Sequence, residues 1–138
     1  MQRFLKLPEG IVRDQQRTFH DADDQPYQLE WSPTLSQDRT TFAESAKLAE
    51  ACELAGSGWR MPQMHELASL VDYSRFNPAI DTDAFPDTKP NWYWTGTVDA
   101  SSPSDYAWGV NFLDGYVCYH PQNDGGFVRA CRRVSPGQ

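Results

Sequence analysis

The sequence predicts a single α+β domain, with two helices early in the chain and antiparallel strands after them. Three observations carry this. A capping box opens one amphipathic helix, a second apolar stripe at helical spacing follows it, and from residue 92 the apolar period shortens from about 3.6 residues to two. Helices segregated from an antiparallel sheet define the α+β class.

Length and composition agree with one folded unit. The chain has 138 residues, the usual size of a domain with a real core. Five Trp, six Tyr and 13 % aromatics set it apart from disordered chains. The net charge of −7 repels nucleic acid and anionic membrane. Arg129, Arg132 and Arg133 form the clearest local basic patch against that average. No apolar run reaches the roughly 20 residues that span a bilayer, so no membrane insertion is expected. Met1 to Glu9 show neither an apolar h-region nor a small-residue cleavage site. The expected partner is therefore a protein or a glycan.

Residues 1–18 are mixed and polar and read as an N-terminal arm before a domain at 19–138. Phe19 to Trp31 reads as two short strands around the turn-rich Asp21 to Pro26. Tyr27, Leu29 and Trp31 alternate with Gln28 and Glu30, the pattern of a half-buried strand. Thr41-Phe42-Ala43-Glu44 is the capping box of a first helix running to about Ala55, where Gly56 and Gly58 end it. Its inner face takes Phe42, Ala46, Ala49 and Cys52, and its outer face Glu44, Lys47 and Glu50. The second helix is expected over about Gln63 to Asp72, with Met64, Leu67, Ala68 and Val71 on one stripe.

Residues 74–91 read as loop. Trp92 to Thr95 is a strand, and Tyr106, Trp108, Val110 and Phe112 alternate along another. Asp114-Gly115 predicts a two-residue hairpin turn, with Tyr116 to His120 returning and Phe127 to Val134 as the last strand.

Taken in order, several blocks resemble one family. They are Trp59-Arg60-Met61-Pro62, Glu66-Leu67-Ala68-Ser69-Leu70-Val71-Asp72, Tyr93-Trp94-Thr95-Gly96-Thr97, Ala107-Trp108-Gly109-Val110-Asn111-Phe112 and Val128-Arg129-Ala130-Cys131-Arg132. The set is similar to the DUF1566 family, the C-terminal domain type of the Legionella collagen-like adhesin, over roughly residues 19–134. The resemblance implies a C-type-lectin-like fold, with two helices packed on a twisted antiparallel sheet. It also implies ligand binding at a bacterial surface or on a phage particle. Some relatives are hypervariable targets of diversity-generating retroelements. In this chain Gln63 stands where the family usually has a Thr helix cap, and Ala130 shifts the terminal cysteine by one place.

C-type-lectin-like folds often tie the first helix to the last strand, so the resemblance implies a Cys52–Cys131 disulfide. The alternative is two buried free thiols. With three cysteines in all, Cys118 is expected unpaired.

Binding residues concentrate on loops of a rigid scaffold. The expected ligand surface spans residues 96–107 and 114–126. Its candidates are Asp99, Ser101, Ser104, Asp105, Tyr106, Asp114, Tyr116, Tyr119, His120, Gln122 and Asn123. Tyr offers contact area at low entropy cost. Trp59, Trp94 and Trp108 read as core, and Arg60 and Arg129 as framework hydrogen-bonding groups.

Asp81, Asp83 and Asp87, or Asp21, Asp23 and Asp24, offer hard oxygens of the kind Ca²⁺ takes. The EF-hand spacing fails, because Gln25 and Pro26 occupy places that need a ligand and a Gly. No cofactor or metal is expected, Ca²⁺ being the one ion the composition leaves open.

No G-x-S-x-G, H-E-x-x-H, Walker loop or Gly-rich dinucleotide turn occurs, and no enzyme is expected. Two alternatives stand beside a binding module. One is an assembly domain of a fibre or surface appendage, which would oligomerise. The other is an enzyme of formylglycine-generating type, which needs two neighbouring reactive thiols.

Overall fold

In the computed structural model, residues 1–137 are described; Gln138, the last residue of the expected domain, lies outside them. The eleven elements include eight strands and two α-helices. β4 (Pro26–Thr34) organises the first sheet. β8 (Arg129–Val134) pairs antiparallel along one edge of it, with Trp31 opposite Cys131 and Glu30 opposite Arg132. On the other edge lie β3 (Phe19–His20) and β2 (Val12–Asp14), and β1 (Phe4–Lys6) continues outward from β2.

Residues 1–18 are thus not an arm. They supply β1 and β2, with Ile11 and Val12 2 % and 3 % exposed. Their polar composition disguised this because their charges are consumed internally. Arg3 holds the buried Asp14 at 2.8 Å, and Arg13 pairs with Glu30.

Leu29 and Trp31 are buried, as the alternation in β4 predicts, but so are Gln28 and Glu30. Both faces of this central strand are covered. Glu30 is held between Arg13 and Arg132, and Gln28 donates to the carbonyl of Gln15 and to the Thr18 hydroxyl.

α1 (Phe42–Ala51) starts at the expected capping box. The Thr41 hydroxyl accepts from Glu44 N–H, and the Glu44 carboxylate accepts from Thr41 N–H. It stops earlier than expected, with Cys52 as C-cap, and Ala55 and Gly56 turn the chain at positive φ. α2 (Met64–Ala68) is one short turn and a half rather than a helix to Asp72. Gln63 does not cap Met64; Thr97, from a later strand, accepts the Met64 N–H at 2.9 Å and donates to the Gln63 side chain. Glu66 accepts the Gln63 N–H, and the Met64 N–H is taken up from across the fold.

The second sheet is β5 (Trp92–Val98), β6 (Tyr106–Asn111) and β7 (Val117–Pro121), in that order and antiparallel. The β6–β7 connection is not a two-residue turn. Asn111 pairs with Tyr116 and accepts from Gly115 N–H, which leaves four residues in the loop. Phe112 is the reason. Its side chain is buried, and its backbone bonds Asn91 and Ala79 rather than the hairpin. Phe127 joins the sheets, exchanging backbone hydrogen bonds with Trp92 and Trp94 of β5.

Two apolar clusters result. One gathers Leu29, Trp31, Leu67, Ile80, Phe85, Tyr93, Val110, Phe112, Phe127 and Cys131. The other gathers Ile11, Ala49, Trp59, Met61, Trp92, Trp94, Ala107, Val128 and Ala130. The loop 74–91 is irregular, as expected, yet it delivers Ile80 and Phe85 to the first cluster.

Alternation along β8 separates the expected disulfide partners. Cys131 points into the first cluster, while Cys52 packs on the second beside Ala130. All three cysteines are free thiols, which corrects the Cys52–Cys131 bridge.

Candidate functional site

The scaffold beneath the candidate surface is held by buried charge. Glu66, wholly buried on α2, receives both guanidinium nitrogens of Arg60 at 2.8 Å, the Tyr27 hydroxyl at 2.8 Å and Gln63 N–H at 2.7 Å. Burial pushes the Glu66 carboxyl up, but these donors win and hold it below its ordinary range. Tyr27, buried against that carboxylate, is pushed up to about 12. Sequence reading gave Arg60 a framework role and passed over Glu66. The signal was there: Glu66 stands three residues after Gln63, the spacing of a capping box.

Arg129 is likewise structural. Its side chain is 2 % exposed and donates to the Ser32 carbonyl, Thr34, Thr88 and Asp87. Arg132 pairs with Glu30 and lies over Trp59, and Arg133 pairs with Asp21. The basic patch read from the sequence is therefore neutralised residue by residue.

The candidates gather on and around the second sheet. One face of that sheet belongs to the second cluster through Trp92, Trp94, Ala107 and Cys118. His120 lies against Trp92, ring centroids 3.8 Å apart and nearly parallel. That burial lowers the imidazole pKa, and Asp124 nearby acts the other way. On the opposite face Tyr93 and Val110 pack with Leu67 of α2 in the first cluster.

Coverage then stops. Further along, Trp108 and Tyr119, cross-strand partners, have ring centroids 5.1 Å apart, and Tyr106 and Tyr119 are 5.8 Å apart. Tyr119 is 55 % exposed and Tyr116, at the turn, 70 %. Trp108 was expected in the core. It is half-exposed instead, because Ala107 and Gly109 take the inward positions of β6 opposite His120 and Cys118.

At the Tyr106 end a shallow groove of about 650 Å³ opens, lined by Thr41 and Ala43 of the α1 entrance and by Ser104, Asp105, Tyr106 and Gln122, among others. Asn123 also lines it. The structure thus brings five of the candidates together and adds Thr41 and Ala43, which sequence reading assigned to the helix start alone. A larger depression, about 770 Å³, lies off this surface between β1 and residues 70–84; Asp81 and Asp83 line it, and none of the ligand-surface candidates does.

Other candidates shape loops. Asp99 accepts from the Ser101 N–H and hydroxyl, and Ser102 donates to Asp105. Asp114 accepts from Tyr116 N–H at the far end of the hairpin. The Gln122 side chain donates to the Pro103 and Tyr106 carbonyls, so it braces the groove wall.

The acidic clusters are similarly engaged. Asp81 accepts from Asp83 and Ala84 N–H, Asp87 pairs with Arg129, and Asp21 accepts from Asp23 and Gln25 N–H. Among the described residues no three His, Cys, Asp or Glu side chains converge as a metal site. Burial pushes the Cys118 thiol up to about 11 and raises Cys131 as well, which favours the unreactive protonated form.

Residues 21–132 match the Lcl C-terminal domain. The chain belongs to the Lcl C-terminal domain family. No curated protein matches it. In this Lcl C-terminal domain the match takes in β4, both helices, the whole second sheet and most of β8, while β1, β2 and β3 precede it. The family suggests an adhesin-associated surface domain. No helix among the described residues is long and apolar enough to cross a membrane.

Proposed function

We propose that this Lcl C-terminal domain is a ligand-binding module with a C-type-lectin-like arrangement, carried on a bacterial surface or a phage particle. It recognises a protein or an uncharged glycan through the second sheet. The observation that supports this most is the aromatic row of Tyr106, Trp108 and Tyr119, the first two half-buried and the last exposed, beside the polar groove. Aromatic rings stack on sugar or protein groups, and flanking hydroxyl, carboxamide and carboxylate groups fix orientation.

The buried charges of the scaffold are paired, while Tyr116 and Tyr119 present more than half of their surface to solvent. That division suits an adaptable face of the retroelement-target kind. It also favours binding over catalysis, since the raised thiols lack the thiolate character a cysteine-dependent enzyme requires.

The test is binding on arrays of glycans and candidate surface proteins, with and without Ca²⁺, for the wild type and for Tyr116→Ala with Tyr119→Ala. The expected result is a glycan or protein signal lost in the variant, with the melting temperature nearly unchanged. Signal retained in the variant would remove this face from the reading.

A further inference from the structure

β7 is the last strand of its sheet. Its hydrogen-bonding parity follows from its two ends: Asn111 N–H donates to the Tyr116 carbonyl, and Gln122 N–H donates to the Asp105 carbonyl. Residues 116, 118, 120 and 122 therefore turn their backbone groups toward β6. Val117 and Tyr119 turn theirs outward. Both side chains are more than half exposed, at 56 % and 55 %.

Open strand edges are usually blunted by charge, proline, bulges or shortness. β1 is three residues long and carries Lys6, and β3 has two residues. β7 runs Val117-Cys118-Tyr119-His120 without an Asp, Glu, Lys or Arg, and proline enters only at Pro121. In a chain of net charge −7, this edge can meet a copy of itself without opposing like charges across the ladder.

We infer that β7 pairs antiparallel with β7 of a second copy of this chain, about a two-fold axis through Cys118, joining two three-stranded sheets into one. In this register Val117 lies opposite the second copy's Tyr119, and the reverse, so every outward N–H and C=O of both residues is used. Pro121, which has no N–H to give, falls opposite Gly115, beyond the ladder. A longer foreign strand would meet that missing donor; self-pairing does not. Cys118 faces its own copy as a non-hydrogen-bonded pair. Such pairs bring Cα atoms to about 4.5 Å, within the reach of a disulfide. This interface uses the backbone of Tyr119, whose ring belongs to the proposed ligand face, whereas Val117 belongs to the interface alone.

Amide hydrogen exchange of the intact chain across concentration, with sedimentation in parallel, tests it. In dilute solution the mass is that of one 15.7 kDa chain; Val117 and Tyr119 amides exchange fast, and Cys118 and His120 amides are protected. At high concentration the mass doubles, and the Val117 and Tyr119 amides slow by about tenfold or more. Val117→Pro removes an outward donor and abolishes the doubling. Copper(II)-phenanthroline then maps the register. Two Cys118 thiols lose two electrons to copper and two protons to water, giving one interchain disulfide. Cys118→Ser lacks this product, and Cys52→Ser with Cys131→Ser keeps it. A one-chain mass at every concentration overturns the proposal. So does a dimer whose Val117 and Tyr119 amides still exchange fast, or protection that appears only with an added foreign peptide. Exchange on the wild type decides the matter even if the proline variant does not fold.

Discussion

At Glu66 a carboxylate is buried completely, and three partner residues keep it charged. Its pKa in the fold lies below the ordinary 4.5, so in acid the unfolded chain binds more protons than the folded one. The stabilisation is full above about 4.5 and is lost as pH falls through the lower folded value. Glu66→Gln should cost stability at neutral pH and flatten the acid limb of a melting-temperature profile against pH; an unchanged limb would place the acid sensitivity elsewhere. Arg60→Met strands the carboxylate. We expect a loss of about 3 kcal/mol in denaturant unfolding, the low end for a broken buried pair, because the Arg60 side chain is 38 % exposed. Sequence alone gave the arginine its role but not its partner. Tyr27 and Glu66 are 39 positions apart, and no local pattern announces their meeting.

Among the elements, the β6–β7 hairpin carries most of the candidate face, and its turn rests on Gly115. This residue sits at φ +90°, and a Cβ there would lie 2.5 Å from Val71 Cγ1 and 3.1 Å from the Tyr73 ring. Gly115→Ala should therefore cost about 1–3 kcal/mol through backbone strain and overpacking, read by chemical denaturation. The sequence marked this position as a turn through Asp114-Gly115 and placed the flanking strands to within a residue of β6 and β7. It missed the loop's true width because burial of Phe112, a tertiary effect, draws the chain away from the ladder. α1 was legible from its capping box for the same reason that α2 was over-extended. The first signal is local and complete, whereas α2 shares its start between Glu66 and the distant Thr97 and ends at Ala68.

For the whole molecule, the α+β class and the order of the strands could be read from periodicity, since period and alternation are properties of the chain itself. The role of residues 1–18 could not, because their polar side chains are matched by distant partners such as Glu30. Nor could the fate of the cysteines, which depends on which side of β8 each one reaches. Because all three are free thiols, Cys131 in the first cluster and Cys52 and Cys118 on the second, the melting temperature should be the same with and without reductant. A rise of several degrees under oxidising conditions would restore the bridge between Cys52 and Cys131. The pairing of β4 with β8 has a consequence for biosynthesis. Glu30 and Arg132 are 102 positions apart, yet they are neighbours in the central sheet. Loop closure over such a span precedes any gain from the contact, which makes it a slow, late event. As the chain leaves the ribosome, β4 stays open along one edge until β8 has emerged. Until then Trp31 and Glu30, buried in the finished sheet, lie on a strand with one unpaired edge, the kind of edge along which incompletely folded chains associate.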